Sequence, residues 1–200
     1  MKMMLCLLFS FLLGSIPTAF LLAKKVKGVD IRQHGSGNVG ATNAFRVLGK
    51  KYGALVFIFD FLKGAVPAWI TAALYSTSSE APLLALLVGM AAILGHIFTP
   101  FLGFKGGKGV ATGSGVLCAS YPILFVCTML IWTVAFFLTR TVSLSSLLAI
   151  AGLVLTSLWW DHDIRATLAF FSLFLLILWS HRSNIYRLLR GEEYKFAKKR

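Results

Sequence analysis

Apolar residues run along this chain in six long blocks, at 4–23, 53–75, 82–98, 113–138, 144–160 and 166–179. Runs of this length suit helices that cross about 30 Å of hydrocarbon, so each block reads as a candidate membrane span. The first opens behind Lys2 like the front of a signal peptide. No convincing cleavage site follows, and the apolar run continues through Pro17 to Leu22, which predicts one retained helix over 4–23. The fourth block is interrupted by Ser120-Tyr121-Pro122, a sequence that favours a break. No repeat of fixed period and no interdomain linker is visible. The expectation is one polytopic membrane domain over residues 1–200.

Charge orients the blocks. Residues 24–51 carry seven Lys and Arg against Asp30 alone, and residues 182–200 carry seven against Glu192 and Glu193. Both stretches belong on the cytoplasmic side by the positive-inside rule. With the N-terminus outside, that requires an odd number of spans. Splitting block 113–138 at Tyr121-Pro122 gives seven transmembrane helices, some short or broken, with the C-terminus cytoplasmic. Arg140, Lys105 and Lys108 then fall on the cytoplasmic side, while the turn of Asp161, His162, Asp163 and Arg165 falls outside, where it reads as a solvated turn. Half-length helices need shielding by their neighbours or a polar cavity to line. The fold class expected is all-α integral membrane protein.

Composition agrees: 58% hydrophobic and 14% charged residues exclude a water-soluble domain of this size. The net charge of +13 would point to nucleic acid in a soluble protein. Here the cations sit between apolar blocks, so a membrane surface and anionic substrates are the expected partners, with no nucleic acid. Cys6, Cys118 and Cys127 lie inside apolar runs and read as small hydrophobes.

Two glycine-rich stretches carry the candidate chemistry. Residues 35–43, GSGNVGATN, hold Ser36, Asn38, Thr42 and Asn43, with Arg46 one turn beyond. Residues 103–115, GFKGGKGVATGSG, hold Lys105, Lys108, Thr112 and Ser114 among six glycines. Glycines let backbone N–H groups approach an anion closely, and the cations supply countercharge, so both stretches read as phosphate cradles. The second is no nucleotide-binding P-loop, because Gly109 follows Lys108 and Leu102 occupies the upstream glycine position. The competing reading is that these glycines serve helix packing and turns while the lysines snorkel.

Asp60 and Lys63 lie one helical turn apart within a span, where an ion pair facing the bundle interior is the stronger reading and a contribution to the positive pocket the weaker. His96 reads as a hydrogen-bonded core histidine. His181, beside Arg182, Ser183 and Asn184 at the end of the last span, either anchors that end or positions or deprotonates a hydroxyl.

The stretches GSIPTAFLLAK, DIRQHGSGNVGATNAFRVLGKKYG, DFLKG, GHIFTPFLGFKGGKGVATGSG, TRTVSLSS and HRSNIYRLLRGEE, in this order along nearly the whole chain, resemble the bacterial PlsY family of acyl-phosphate:glycerol-3-phosphate acyltransferases. The resemblance implies transfer of a fatty acyl group from acyl phosphate to the 1-hydroxyl of sn-glycerol 3-phosphate, giving lysophosphatidic acid and phosphate as the first step of phospholipid biosynthesis. It also implies seven spans in the bacterial cytoplasmic (inner) membrane, an active site facing the cytoplasm, no cofactor and no metal. Its partners are glycerol 3-phosphate, acyl phosphate, membrane lipid and an acyl-phosphate-producing enzyme. Carried over by position, the first motif supplies Ser36, Asn38, Thr42 and Arg46. The second supplies Lys105, Gly106, Gly107, Lys108 and Gly109. Ser143 and Ser146 add hydroxyls, and the third motif supplies His181, Asn184 and a structural glutamate at 192 or 193.

Of these, His181, Ser36 and Lys108 are expected to be catalytic and the remainder to bind substrate. No histidine begins the His-x4-Asp pattern of thioester-dependent acyltransferases: Val39, Phe101, Thr167 and Tyr186 stand where the aspartate belongs. No Gly-x-Ser-x-Gly elbow is present either, which favours direct transfer in a ternary complex over a covalent acyl-enzyme. Read from the residues alone, a carrier for small phosphorylated anions or an inert scaffold stays open beside the enzyme.

Overall fold

The computed structural model describes residues 1–160 and 163–196, apart from the side chain of Trp160, and every regular element among them is helical. The chain forms two compact units, Met1–Ser120 and Tyr121–Arg200.

In the first unit, α1 (Lys2–Ser15) and α2 (Thr18–Lys27) are separated at Ile16-Pro17, where the sequence predicts one continuous helix. Hydropathy registers only apolarity. The backbone at Ile16 is extended (φ −60°, ψ 116°), as the residue before proline prefers, and Pro17 has no amide to donate. A single-turn 3-10 segment (Ile31–Gln33) and α3 (Ala41–Leu48) lead into α4 (Lys50–Leu74). Then come α5 (Ala81–Ile97), a 3-10 turn (Pro100–Leu102) and α6 (Val110–Ser120). Small residues bring these helices together closely: a Cβ on Gly64 would strike the Thr112 carbonyl, and one on Gly115 the Phe61 carbonyl, so α4 and α6 meet backbone to backbone. Ser10 Oγ in α1 donates to the Val88 carbonyl of α5 at 2.7 Å.

The break between α1 and α2 organises a buried polar cluster. Thr99 Oγ1 donates to the Ser15 carbonyl at 2.6 Å, and Lys63 Nζ donates to the Ile16 carbonyl at 3.1 Å. Lys63 also pairs with Asp60 at 2.9 Å, and Asp60 Oδ1 accepts from Thr18 Oγ1 at 3.1 Å, with His96 Nδ1 at 3.8 Å. Asp60, Lys63 and His96 are all buried. The i, i+3 carboxylate and lysine are therefore an interior ion pair, as the sequence indicates, and the ammonium gains a helix-end carbonyl besides. Charge at membrane depth persists when every partner is supplied in this way.

In the second unit, α7 (Pro122–Thr139) and α8 (Val142–Trp160) form a hairpin turned at Arg140, whose φ is +55°. Then follow α9 (Ile164–Ser180) and α10 (Arg182–Leu189), bent 63° from α9. Asp163 caps α9, its Oδ1 accepting the Arg165 amide at 2.9 Å. Asp161 and His162 of the expected solvated turn lie outside the described residues, as do the last basic residues of the tail.

Among the described residues, five helical runs are long and apolar enough to cross a membrane, six if the bent α9–α10 pair counts as one span. The break at Ser120-Tyr121-Pro122 is observed, and it leaves α6 with 11 residues, about 16 Å of helix and half a hydrocarbon layer. Thr112, Gly115, Val116, Leu117 and Ser120 of α6 are buried, so this short helix is shielded by its neighbours.

Candidate functional site

The first glycine loop is folded around Asn43, which is 1% exposed. Its Oδ1 accepts the Ser36 amide at 2.8 Å, and its Nδ2 lies 3.3, 3.0 and 2.9 Å from the carbonyls of Ile31, His34 and Asn38. One side chain thus gives the Ser36 amide and the Asn38 carbonyl their partners and adds a second donor to the Ile31 and His34 carbonyls, which already accept from the amides of His34 and Gly37. The sequence gives Asn43 no role within the motif, because an asparagine in a glycine loop carries no mark of what it will bond. Ser36, Asn38, Thr42 and Arg46 ride on this framework, all half-buried, with Thr42 and Arg46 on α3. At the loop's entrance Arg32 binds Asp30 at 2.7 Å, and the guanidinium beside it holds the Asp30 carboxyl down at about 2.

The second loop departs from expectation. The amide N–H of Gly106 donates to the Ile97 carbonyl at 2.9 Å, and that of Gly107 to the His96 carbonyl at 3.0 Å. These two amides cap the C-terminal end of α5 and do not cradle an anion. A Cβ on Gly106 would strike the His96 carbonyl, and one on Gly107 the His96 imidazole, so both glycines are there for close packing. The packing alternative prevails at these positions. Gly109, at φ +81°, is buried and turns the chain into α6. Around this fixed strip Lys105 is exposed and Lys108 half-buried. Thr112 Oγ1, in the first turn of α6, is buried without a hydrogen-bond partner.

In the second unit, the structure decides between the two glutamates of the tail. Glu193 Oε1 accepts from Asn184 Nδ2 at 2.7 Å and from Ser143 Oγ at 3.1 Å, while Oε2 accepts from Arg187 Nε at 2.8 Å. Ser143 and Asn184, both buried, are brought together through this one carboxylate. Ser146 is not part of the cluster. Its hydroxyl donates to the Val142 carbonyl at 2.8 Å and accepts from Trp132 Nε1 at 3.2 Å, which ties α7 to α8. His181 is 2% exposed at the α9–α10 bend. Its Nδ1 lies 2.9 Å from the Ile177 carbonyl, which can only accept, so Nδ1 carries a proton and in the neutral ring Nε2 is the basic nitrogen.

The family model described as "Glycerol-3-phosphate acyltransferase" matches residues 4–191. The chain is 42% identical to a glycerol-3-phosphate acyltransferase of Macrococcus caseolyticus over 200 residues, the whole of both chains. It is 43% identical to that of Aquifex aeolicus over 196 residues, covering 98% of this chain and all of the other. The crystal structure of PlsY (YgiH), an integral membrane glycerol 3-phosphate acyltransferase, superposes in its glycerol 3-phosphate form with a TM-score of 0.91 at 42% identity, over 98% of this chain and 96% of that one. The lysophosphatidic acid form of the same protein gives 0.88 over the same shares.

Proposed function

The chain belongs to the glycerol-3-phosphate acyltransferase family and is an acyltransferase, and we propose that its donor is acyl phosphate and its acceptor the 1-hydroxyl of sn-glycerol 3-phosphate. The hydroxyl oxygen forms an ester bond to the acyl carbon as the bond from that carbon to the phosphate oxygen breaks. Lysophosphatidic acid and inorganic phosphate leave. Phosphate is a good leaving group, so the protein has mainly to align the alcohol and stabilise charge on the departing oxygens.

The observation that carries this reading is the Asn43-pinned loop, which presents Ser36, Thr42 and Arg46 on a rigid frame. Lys105, Lys108 and Arg46 clamp phosphate, with the first-turn amides of α6, after Gly109, in place of those of Gly106 and Gly107. Ser36, Asn38 and Thr42 orient phosphate and hydroxyl groups. In the second unit, Glu193 fixes the Ser143 hydroxyl and the Asn184 amide, which orient the glycerol. His181 Nε2 positions the attacking hydroxyl or takes its proton; the departing phosphate is the other acceptor. Metal and cofactor have no assigned part in these steps.

We further propose seven spans, counting α6, within one catalytic domain in the bacterial cytoplasmic membrane. The N-terminus lies outside, the C-terminus and both glycine loops face the cytoplasm, and an acyl-phosphate-producing enzyme supplies the donor. The basic residues at 24–51 and in the tail support this orientation. Purified protein in vesicles, given labelled glycerol 3-phosphate and acyl phosphate, should yield lysophosphatidic acid. Product formed from acyl-CoA but none from acyl phosphate would overturn the donor assignment.

A further inference from the structure

We propose that Phe101 and Phe104 form an aromatic foot seated in the headgroup layer of the bilayer, holding the Lys105–Lys108 loop against the lipid surface. The turn that carries them is tightly made: the amides of Leu102 and Phe104 both donate to the Thr99 carbonyl, at 3.3 and 2.9 Å, and that of Gly103 to the Pro100 carbonyl at 3.2 Å. Phe104 sits at φ +61°, a region that L side chains rarely adopt. The chain uses glycine at 103, 106, 107 and 109, yet keeps a large ring at this strained position. Within the chain that ring gains little, since Phe104 is 64% exposed and Phe101 63%, while Leu102 between them is buried. What compensates the strain lies outside the chain.

Lipid is the occupant that the surroundings favour. The turn stands at the end of the run Ala81–Leu102, which is long and apolar enough to cross a membrane, and so falls where that run would meet the headgroups. Exposed Lys105 follows directly, and aromatic rings beside a lysine are the pattern of an interfacial anchor, with the ammonium level with anionic headgroups. On the reading of a fatty acyl donor, which this consequence rests on, the foot lets an amphiphile pass from the bilayer to Lys105 and Lys108 without leaving lipid.

The test is made on the full chain in vesicles. Phe101→Trp and Phe104→Trp each add emission to that of the unsubstituted protein. Lipid brominated at shallow acyl positions should quench the added emission, and aqueous iodide should not. Quenching by iodide, or by neither agent because another protein chain covers the rings, overturns the proposal. The double variant F101S/F104S should lose about tenfold or more of its turnover on long-chain acyl phosphate in vesicles, the fold-change expected from one ring's interfacial burial. It should keep its turnover on a short-chain donor in detergent. Equal loss in both settings, or loss in neither, overturns the holding role. Lipid quenching in a protein with no acyltransferase activity on acyl phosphate would sink the proposed donor and leave the foot standing.

Discussion

Asn43 Oδ1 accepts the amide of Ser36 at 2.8 Å, so a side chain on α3 fixes a residue seven positions earlier in the chain. Replacing Asn43 with Ala strands that amide and the Asn38 carbonyl, while the Ile31 and His34 carbonyls keep the amides of His34 and Gly37, at a cost of roughly 1–3 kcal/mol for each buried group left unsatisfied. N43A should lower both the thermal midpoint and the turnover of the purified protein. A variant that melts earlier but turns over normally would show that the loop's frame does not matter to catalysis.

Glu193 binds three donors with two oxygens. E193Q keeps the shape but places an amide NH2 where an acceptor is needed, against Arg187 or against Ser143 and Asn184. Hydrogen bonds to charged groups contribute about 1.5–3 kcal/mol, so turnover should fall about ten- to a hundredfold. E192Q, by contrast, should leave turnover intact.

Lys108 is assigned to transition-state charge. K108A should lower kcat by roughly 10²–10³. A change confined to KM would reassign it to plain substrate binding, and full activity would remove it from the site.

Asp60 and Lys63 are buried together, and removing one leaves the other uncompensated, at about 3–5 kcal/mol. D60L and K63M should each lower the thermal midpoint in detergent strongly. The double variant D60L/K63M should recover part of that loss, and a double that melts at the sum of the two singles would show the pair to be uncoupled.

The Arg32 guanidinium and amide hold the Asp30 carboxyl at about 2 in the folded chain, against an ordinary value of 3.8. A depressed carboxyl pKa contributes stability above the unfolded value and loses it as pH falls through the folded one. Unfolding midpoints should therefore fall between pH 4 and 2, and D30N should flatten that part of the curve. An unchanged profile in D30N would assign the acid sensitivity elsewhere.

Much of the architecture is legible in hydropathy. Blocks 53–75, 82–98, 144–160 and 166–179 match α4, α5, α8 and α9 to within a few residues, and the break before Pro122 is where the sequence puts it. The break before Pro17 carries the same residue type but no polar interruption, so an apolarity scan passes over it. The glycine loops were legible as unusual, not as to purpose: an amide that caps α5 and an amide that binds phosphate require the same residue. Ser146 was indistinguishable from Ser143 until Trp132 came to lie against it, and Glu193 from Glu192 until the tail folded back. In each case the deciding partner is distant in sequence or offset by a single position, and local pattern carries no record of it.

The carbonyl of Ser15, bared where the chain turns extended at Ile16 and α1 ends, accepts its hydrogen bond from Thr99, 84 positions downstream. During synthesis the N-terminal helix therefore enters the lipid with that oxygen unanswered, and acquires its permanent partner only after α5 has emerged from the ribosome. Biogenesis of this half of the protein is accordingly a concerted event, in which the earliest segment inserted is among the last to settle.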